Sequence, residues 1–122
     1  MQRINGTTIE LNRGDVLSLD LSLQLEDETP YVFQPNDKIK FAIYGKNRMG
    51  DNPVLLKEIT IPESTETVNI SCTSEETKIG EYINKPVDYW YEIELNDEHT
   101  VLGYDEKGPK LFRLYPEGKE NE

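Results

Sequence analysis

Val16-Leu17-Ser18-Leu19-Asp20-Leu21-Ser22-Leu23-Gln24-Leu25 alternates strictly between apolar and polar side chains from residue 17 onward. On a helix these five leucines would scatter around the axis, whereas on an extended strand they share one face. The stretch therefore predicts a long half-buried strand over 16–25, with Leu17, Leu19, Leu21, Leu23 and Leu25 inward.

The same period recurs on either side. Residues 38–45 place Ile39, Phe41 and Ile43 inward and Lys38, Lys40 and Ala42 outward. Residues 54–61 predict a strand with Ile59 and Ile61 on its core face, and residues 67–72 one with Val68, Ile70 and Cys72 together. Along 87–95, Val87, Tyr89, Tyr91, Ile93 and Leu95 oppose Asp88, Trp90, Glu92 and Glu94. A shorter strand near Thr7–Leu11 is expected to open the fold, and a hairpin of 99–104 with 110–115 around Asp105–Gly108 to close it. Turn residues punctuate the runs at Arg13-Gly14-Asp15, Gln34–Asp37, Met49–Pro53, Pro62–Ser64 and Asn84–Pro86.

One segment has helical character. Thr73-Ser74-Glu75-Glu76 matches a capping box, and Gly80 would stop the helix it starts, giving a short helical turn near 74–79. Seven or eight short strands without a long helix predict an antiparallel β-sandwich of two packed sheets. At 122 residues the chain fits one domain, expected over 1–116, with a charged flexible tail over 117–122.

Charge narrows the partners. Asp and Glu outnumber Lys and Arg 24 to 13, for a formal net charge of −11. Such a field repels phosphate backbones and anionic lipid, so neither nucleic acid nor membrane is an expected partner. A basic target, or a divalent cation held loosely at the surface, is compatible with it. The first residues lack an apolar stretch of signal-peptide length, so synthesis in a cytoplasm is expected.

Chemistry-bearing residues are sparse. His99 is the single histidine and lies in the polar turn 96–100 with no nucleophile spaced to use it. Cys72 is the single cysteine, in phase with Val68 and Ile70, which reads as a core residue and excludes both an internal disulfide and a zinc site of the usual type. Glu26-Asp27-Glu28, Glu75-Glu76 and Asp97-Glu98 could supply calcium ligands or paired carboxylates, but none has the spacing of a calcium loop and solvated charge is the expectation. No catalytic residue, cofactor site or metal site is therefore expected, and a small hydrolase is disfavoured. Trp90 points outward among acids, which makes it the candidate interface residue, with packing beneath a loop or against a neighbouring strand's side chains, or stacking on a sugar, as the other readings.

Three segments carry a resemblance: Thr8–Asp15 running into the strand from Val16, the strand Asp37–Ile43, and Thr73–Tyr82 leading to Tyr89-Trp90-Tyr91-Glu92-Ile93-Glu94-Leu95. In these the chain resembles the N-terminal domain family of phage baseplate upper proteins from phages and prophages of Gram-positive bacteria. The insertion Ile83–Val87 departs from the family pattern. The resemblance implies an immunoglobulin-like sandwich in a virion tail or baseplate. It further implies a non-enzymatic assembly role with neighbouring tail subunits, or copies of itself, as partners. A carbohydrate- or cell-surface-binding module is the alternative.

Overall fold

The computed structural model describes residues 2–45, 52–80 and 83–117, which are all-β and contain no helix. Nine strands are present among them: β1 (Arg3–Asn5), β2 (Thr8–Asn12), β3 (Leu17–Leu21), β4 (Lys38–Tyr44), β5 (Leu55–Thr60), β6 (Val68–Cys72), β7 (Val87–Leu95), β8 (His99–Leu102) and β9 (Lys110–Tyr115). Seven form one sheet in the order β1-β2-β9-β7-β4-β5, with β8 also on β7, while β3 and β6 form a second, two-stranded sheet.

Apolar alternation explains why the two sheets meet. Register across the large sheet aligns Ile39 with Leu95, Phe41 with Ile93 and Ile43 with Tyr91, then Ile9 with Phe112 and Leu11 with Leu114. The small sheet aligns Leu17 with Cys72, Leu19 with Ile70 and Leu21 with Val68. These residues share one core cluster, with Phe33, Phe41 and Phe112 wholly buried. Burying such a ring contributes roughly 1.5–3 kcal/mol relative to leaving it in water.

The large sheet is mixed, because β2 pairs with β9 in parallel, whereas a purely antiparallel arrangement was expected. Nearly the whole domain serves as the crossover between these two strands, so no connecting helix is required. The opening strand is in fact the hairpin β1–β2, turning at Gly6 with φ +66°.

The strand expected over 16–25 stops at Leu21, where its pairing with β6 ends at Val68 and the chain before β6 bridges to Phe33 through Thr65 instead. Past that point the chain bonds to itself: Tyr31 N–H donates to the Leu23 carbonyl (2.9 Å) and Leu25 N–H to that of Thr29 (2.8 Å). Leu23 ends half-buried and Leu25 is 51% exposed, instead of both lying in the core. In β4, Ala42 faces outward as its phase requires but is buried, flanked in register by Leu56 and Glu92. In β5 it is Ile61, just past the strand, that is fully buried, while Ile59 is half-buried on an edge strand.

The expected terminal hairpin does not form. Strands β8 and β9 do not pair with each other but lie in succession along one edge of β7, β8 on Ile93–Leu95 and β9 on Val87–Tyr91. The 105–108 turn closes only on itself, through Asp105 N–H to Gly108 O (3.2 Å) and Gly108 N–H to Asp105 O (2.8 Å).

The helical turn expected near 74–79 is also absent. Both capping-box bonds are made, Thr73 N–H to Glu76 Oε1 (2.8 Å) and Glu76 N–H to Thr73 Oγ1 (3.2 Å). A single turn follows and then stops, because the side chains that would line a helix are engaged elsewhere. The Ser74 hydroxyl donates to the Gly14 carbonyl and the buried Thr77 hydroxyl to that of Asp15. Arg13 completes this strap, donating from Nε to Ile79 O (3.0 Å), from Nη2 to Gly80 O (2.7 Å) and from Nη1 to Glu117 Oε1 (2.7 Å). Of the expected tail, Glu117 is thus tied down and 118–122 lie outside the described residues, as do 49–51 of the expected 49–53 turn and Glu81 and Tyr82.

Asp37 holds the opposite end of the sandwich. Its carboxylate accepts from Gln34 N–H (2.9 Å), the Tyr31 hydroxyl (2.7 Å) and Asn96 Nδ2 (3.1 Å), while Asn96 Oδ1 accepts from Lys38 N–H (2.7 Å). The Gln34 N–H, then the Tyr31 hydroxyl, hold this carboxyl below its ordinary 3.8. A depressed folded value means the contribution is complete above the unfolded pKa and is lost as pH falls through the folded one. Asp37→Ala is expected to cost about 1–3 kcal/mol at neutral pH by leaving these donors unpaired. Urea unfolding should show the gap between wild type and variant narrowing below pH 3.8. A gap that stays constant into acid would overturn this role for Asp37.

Candidate interaction surface

The face of the large sheet turned away from the core carries the most distinctive surface. Register places Tyr44 of β4, Trp90 of β7 and Leu111 of β9 in one cross-strand row. Paired residues point to the same side, so these three form a continuous apolar strip. Leu56 of β5, 44% exposed, extends it beside Ala42. Tyr104, 63% exposed, comes from the loop after β8 and packs against Trp90, with ring centroids 5.6 Å apart and planes at 50°.

Trp90 therefore lies on the outer face, as its phase predicts, but is half-buried among neighbours and does not stand free. The loop that delivers Tyr104 is held by an ion pair. Lys110 is in phase with Phe112 and Leu114, which puts its stem on the core side, and its Nζ reaches Asp105 Oδ2 at 2.7 Å. Lys110 first, then the Lys107 N–H, keep the Asp105 carboxyl below its ordinary value. Gly103 permits the close approach here, since a Cβ at that position would sit 2.7 Å from Thr100 Cγ2.

Charged rows border the strip on both sides. On one, Asp88, Arg113, Glu10 and Arg3 form a ladder of alternating sign across four strands. Arg113 grips Asp88 with two bonds (2.8 and 3.3 Å) and approaches Glu10 at 3.6 Å, while Arg3 meets Glu10 at 3.2 Å. The Asp88 carboxylate raises the Arg113 pKa further above its already high value. On the other, Lys40 bridges Asp97 (2.7 Å) and Glu58 (3.9 Å), and Lys40 holds the Asp97 carboxyl below the usual range. Glu10 is buried within the ladder, whereas the partly exposed pairs, such as Lys40 with Asp97, fix side-chain positions more than they stabilise the fold.

The other singled-out residues are dispersed. Cys72 is buried on β6, and desolvation pushes its thiol up to about 11. His99 is exposed on β8. Glu76 pairs with Lys57 (2.8 Å), Glu75 with Lys78 (3.4 Å), and Asp27 accepts from Thr29. Among the described residues no group of three or more His, Cys, Asp or Glu could hold a metal ion, and no helix is long and apolar enough to cross a membrane. Tyr104 and the Asp105–Lys110 latch were not singled out from sequence, although a lysine in phase with Phe112 and Leu114 signals a need for an acidic partner. Comparison with protein-family models, with curated proteins and with solved structures finds no match to this chain.

Trp90 is the single tryptophan, so its emission reports on this surface. Lys110→Met should release the 103–109 loop, move Tyr104 off the indole and shift emission to longer wavelength. Wild type should show the same shift as acid protonates Asp105, below its ordinary 3.8. Unchanged emission in both experiments would show that the latch does not position Tyr104. Cys72 should react with a disulfide reagent only on unfolding, and rapid labelling of the native protein at neutral pH would contradict its burial.

Proposed function

We propose that this chain is a non-enzymatic assembly module that works through protein–protein contacts at the outer face of its large sheet. The carrying observation is the strip Leu56–Tyr44–Trp90–Leu111–Tyr104 enclosed by ion-paired rows. Stable interfaces combine an aromatic, weakly charged centre with a polar rim, and Trp and Tyr dominate their energetics. We read the two-sheet arrangement as a variant of the immunoglobulin-like sandwich. In keeping with the resemblance in Thr8–Asp15, Asp37–Ile43 and Thr73–Leu95, we place the module in the tail or baseplate of a phage or prophage virion. Its partners are neighbouring tail subunits or further copies of itself.

Native mass spectrometry at micromolar concentration, with the chain alone and mixed with tail or baseplate subunits encoded beside it, tests this reading. A complex is expected, weakened at least tenfold by Leu56→Lys or Tyr104→Ser, variants whose circular dichroism should match wild type. No self-association and no subunit complex would overturn it. Glycan-array binding that Trp90→Ala abolishes would support a carbohydrate-binding module instead.

A further inference from the structure

A second surface lies on the other side of the large sheet and is independent of the Trp90 strip. Between segment 23–31 and β8 runs an open groove of about 550 Å³. Leu23, Tyr31, Leu95 and Val101 give it an apolar lining, and Glu26 and Glu98 stand among its lining residues. Leu95 alternates with Glu94, so it faces the core side, opposite to Trp90.

Two observations say what this groove accepts. The first is a β-bulge: β7 and β8 pair Glu94 with Thr100 and Ile93 with Leu102, which leaves Val101 without a cross-strand partner. Ordinary alternation would turn either Val101 or Leu102 outward. The bulge instead lets both pack against the core cluster, and Val101 lines the groove. Bulges are a recurring way of re-aiming one side chain. The second is charge. Asp97 is matched by Lys40 and Asp27 by Thr29, yet neither Glu26 nor Glu98 has a side-chain hydrogen bond or ion pair among the described residues. Two unmatched carboxylates beside an apolar floor, in a chain of net charge −11, complement a cationic partner and repel an acidic one.

We propose that this groove receives an extended segment of a partner protein in which an aliphatic side chain is flanked by lysine or arginine. The aliphatic group would lie on Leu95 and Val101, with the flanking cations at Glu26 and Glu98.

Fluorescein-labelled KLKLK serves as the probe, with KSKSK and ELELE as controls, in anisotropy titrations and in amide-shift mapping on the full chain. KLKLK should bind at least tenfold more tightly than either control, with shifts concentrated in 23–31 and 95–101. The exposed double variant Glu26→Gln/Glu98→Gln should lose about tenfold in affinity and much of the salt dependence. Equal binding of KSKSK would reduce the effect to general attraction by an acidic protein and overturn the proposal. So would an undiminished double variant, shifts centred on Trp90, or no KLKLK binding at millimolar concentration. Apart from shifts centred on Trp90, none of these outcomes bears on whether the outer face assembles with tail subunits.

Discussion

Strand β7 is nine residues long, and both of its edges are taken. On one side β4 pairs with it from Trp90 to Leu95; on the other, β9 and then β8 divide its length. Its inward residues Tyr91 and Ile93 lie in the core with Leu95 at the core's edge, and Trp90 stands at the centre of the outer strip. Tyr91 also anchors the N-terminal hairpin through its hydroxyl, which donates to the Thr7 carbonyl, and burial pushes that phenol up to about 12. Both faces of the sheet take their order from this strand, so the candidate interaction surface is built on the core beneath it.

Period-two patterning made the faces legible. Leu17 and Leu19, Ile39, Phe41 and Ile43, Val68, Ile70 and Cys72, and Tyr91, Ile93 and Leu95 all lie inward as alternation predicts. Pairing was another matter, because alternation within a strand carries no information about its neighbour. The parallel contact of β2 with β9 joins residues about a hundred positions apart, as in Leu11 with Leu114, and no local signal encodes it. Leu23 and Leu25 continue the pattern of β3 but leave the sheet where the chain before β6 pairs with Phe33 through Thr65 instead. The capping box over 73–76 was equally clear and equally local: it starts a turn, and side-chain bonds to the Gly14 and Asp15 carbonyls decide that no helix follows.

The outward phase of Trp90 could be read from sequence, but its company could not. Tyr44 and Leu111 reach it through strand register, and Tyr104 through a loop fastened by Lys110. An unmatched glutamate looks the same in a sequence as a paired one. Only the structure separates Glu76, held by Lys57, from Glu26 and Glu98, which have no side-chain bond or ion pair among the described residues.

The interior position of β9 constrains how the protein is made. Strands β1 and β2 precede the other described strands in the chain, yet they join the large sheet only through β9, which follows all of them. Until residues 110–115 emerge, the N-terminal hairpin has no place in the sheet and Ile9 and Leu11 lack their partners Phe112 and Leu114. Sheet closure therefore waits on a contact with a large loop to close, which favours slow folding and leaves apolar edges to be kept apart until β9 is available.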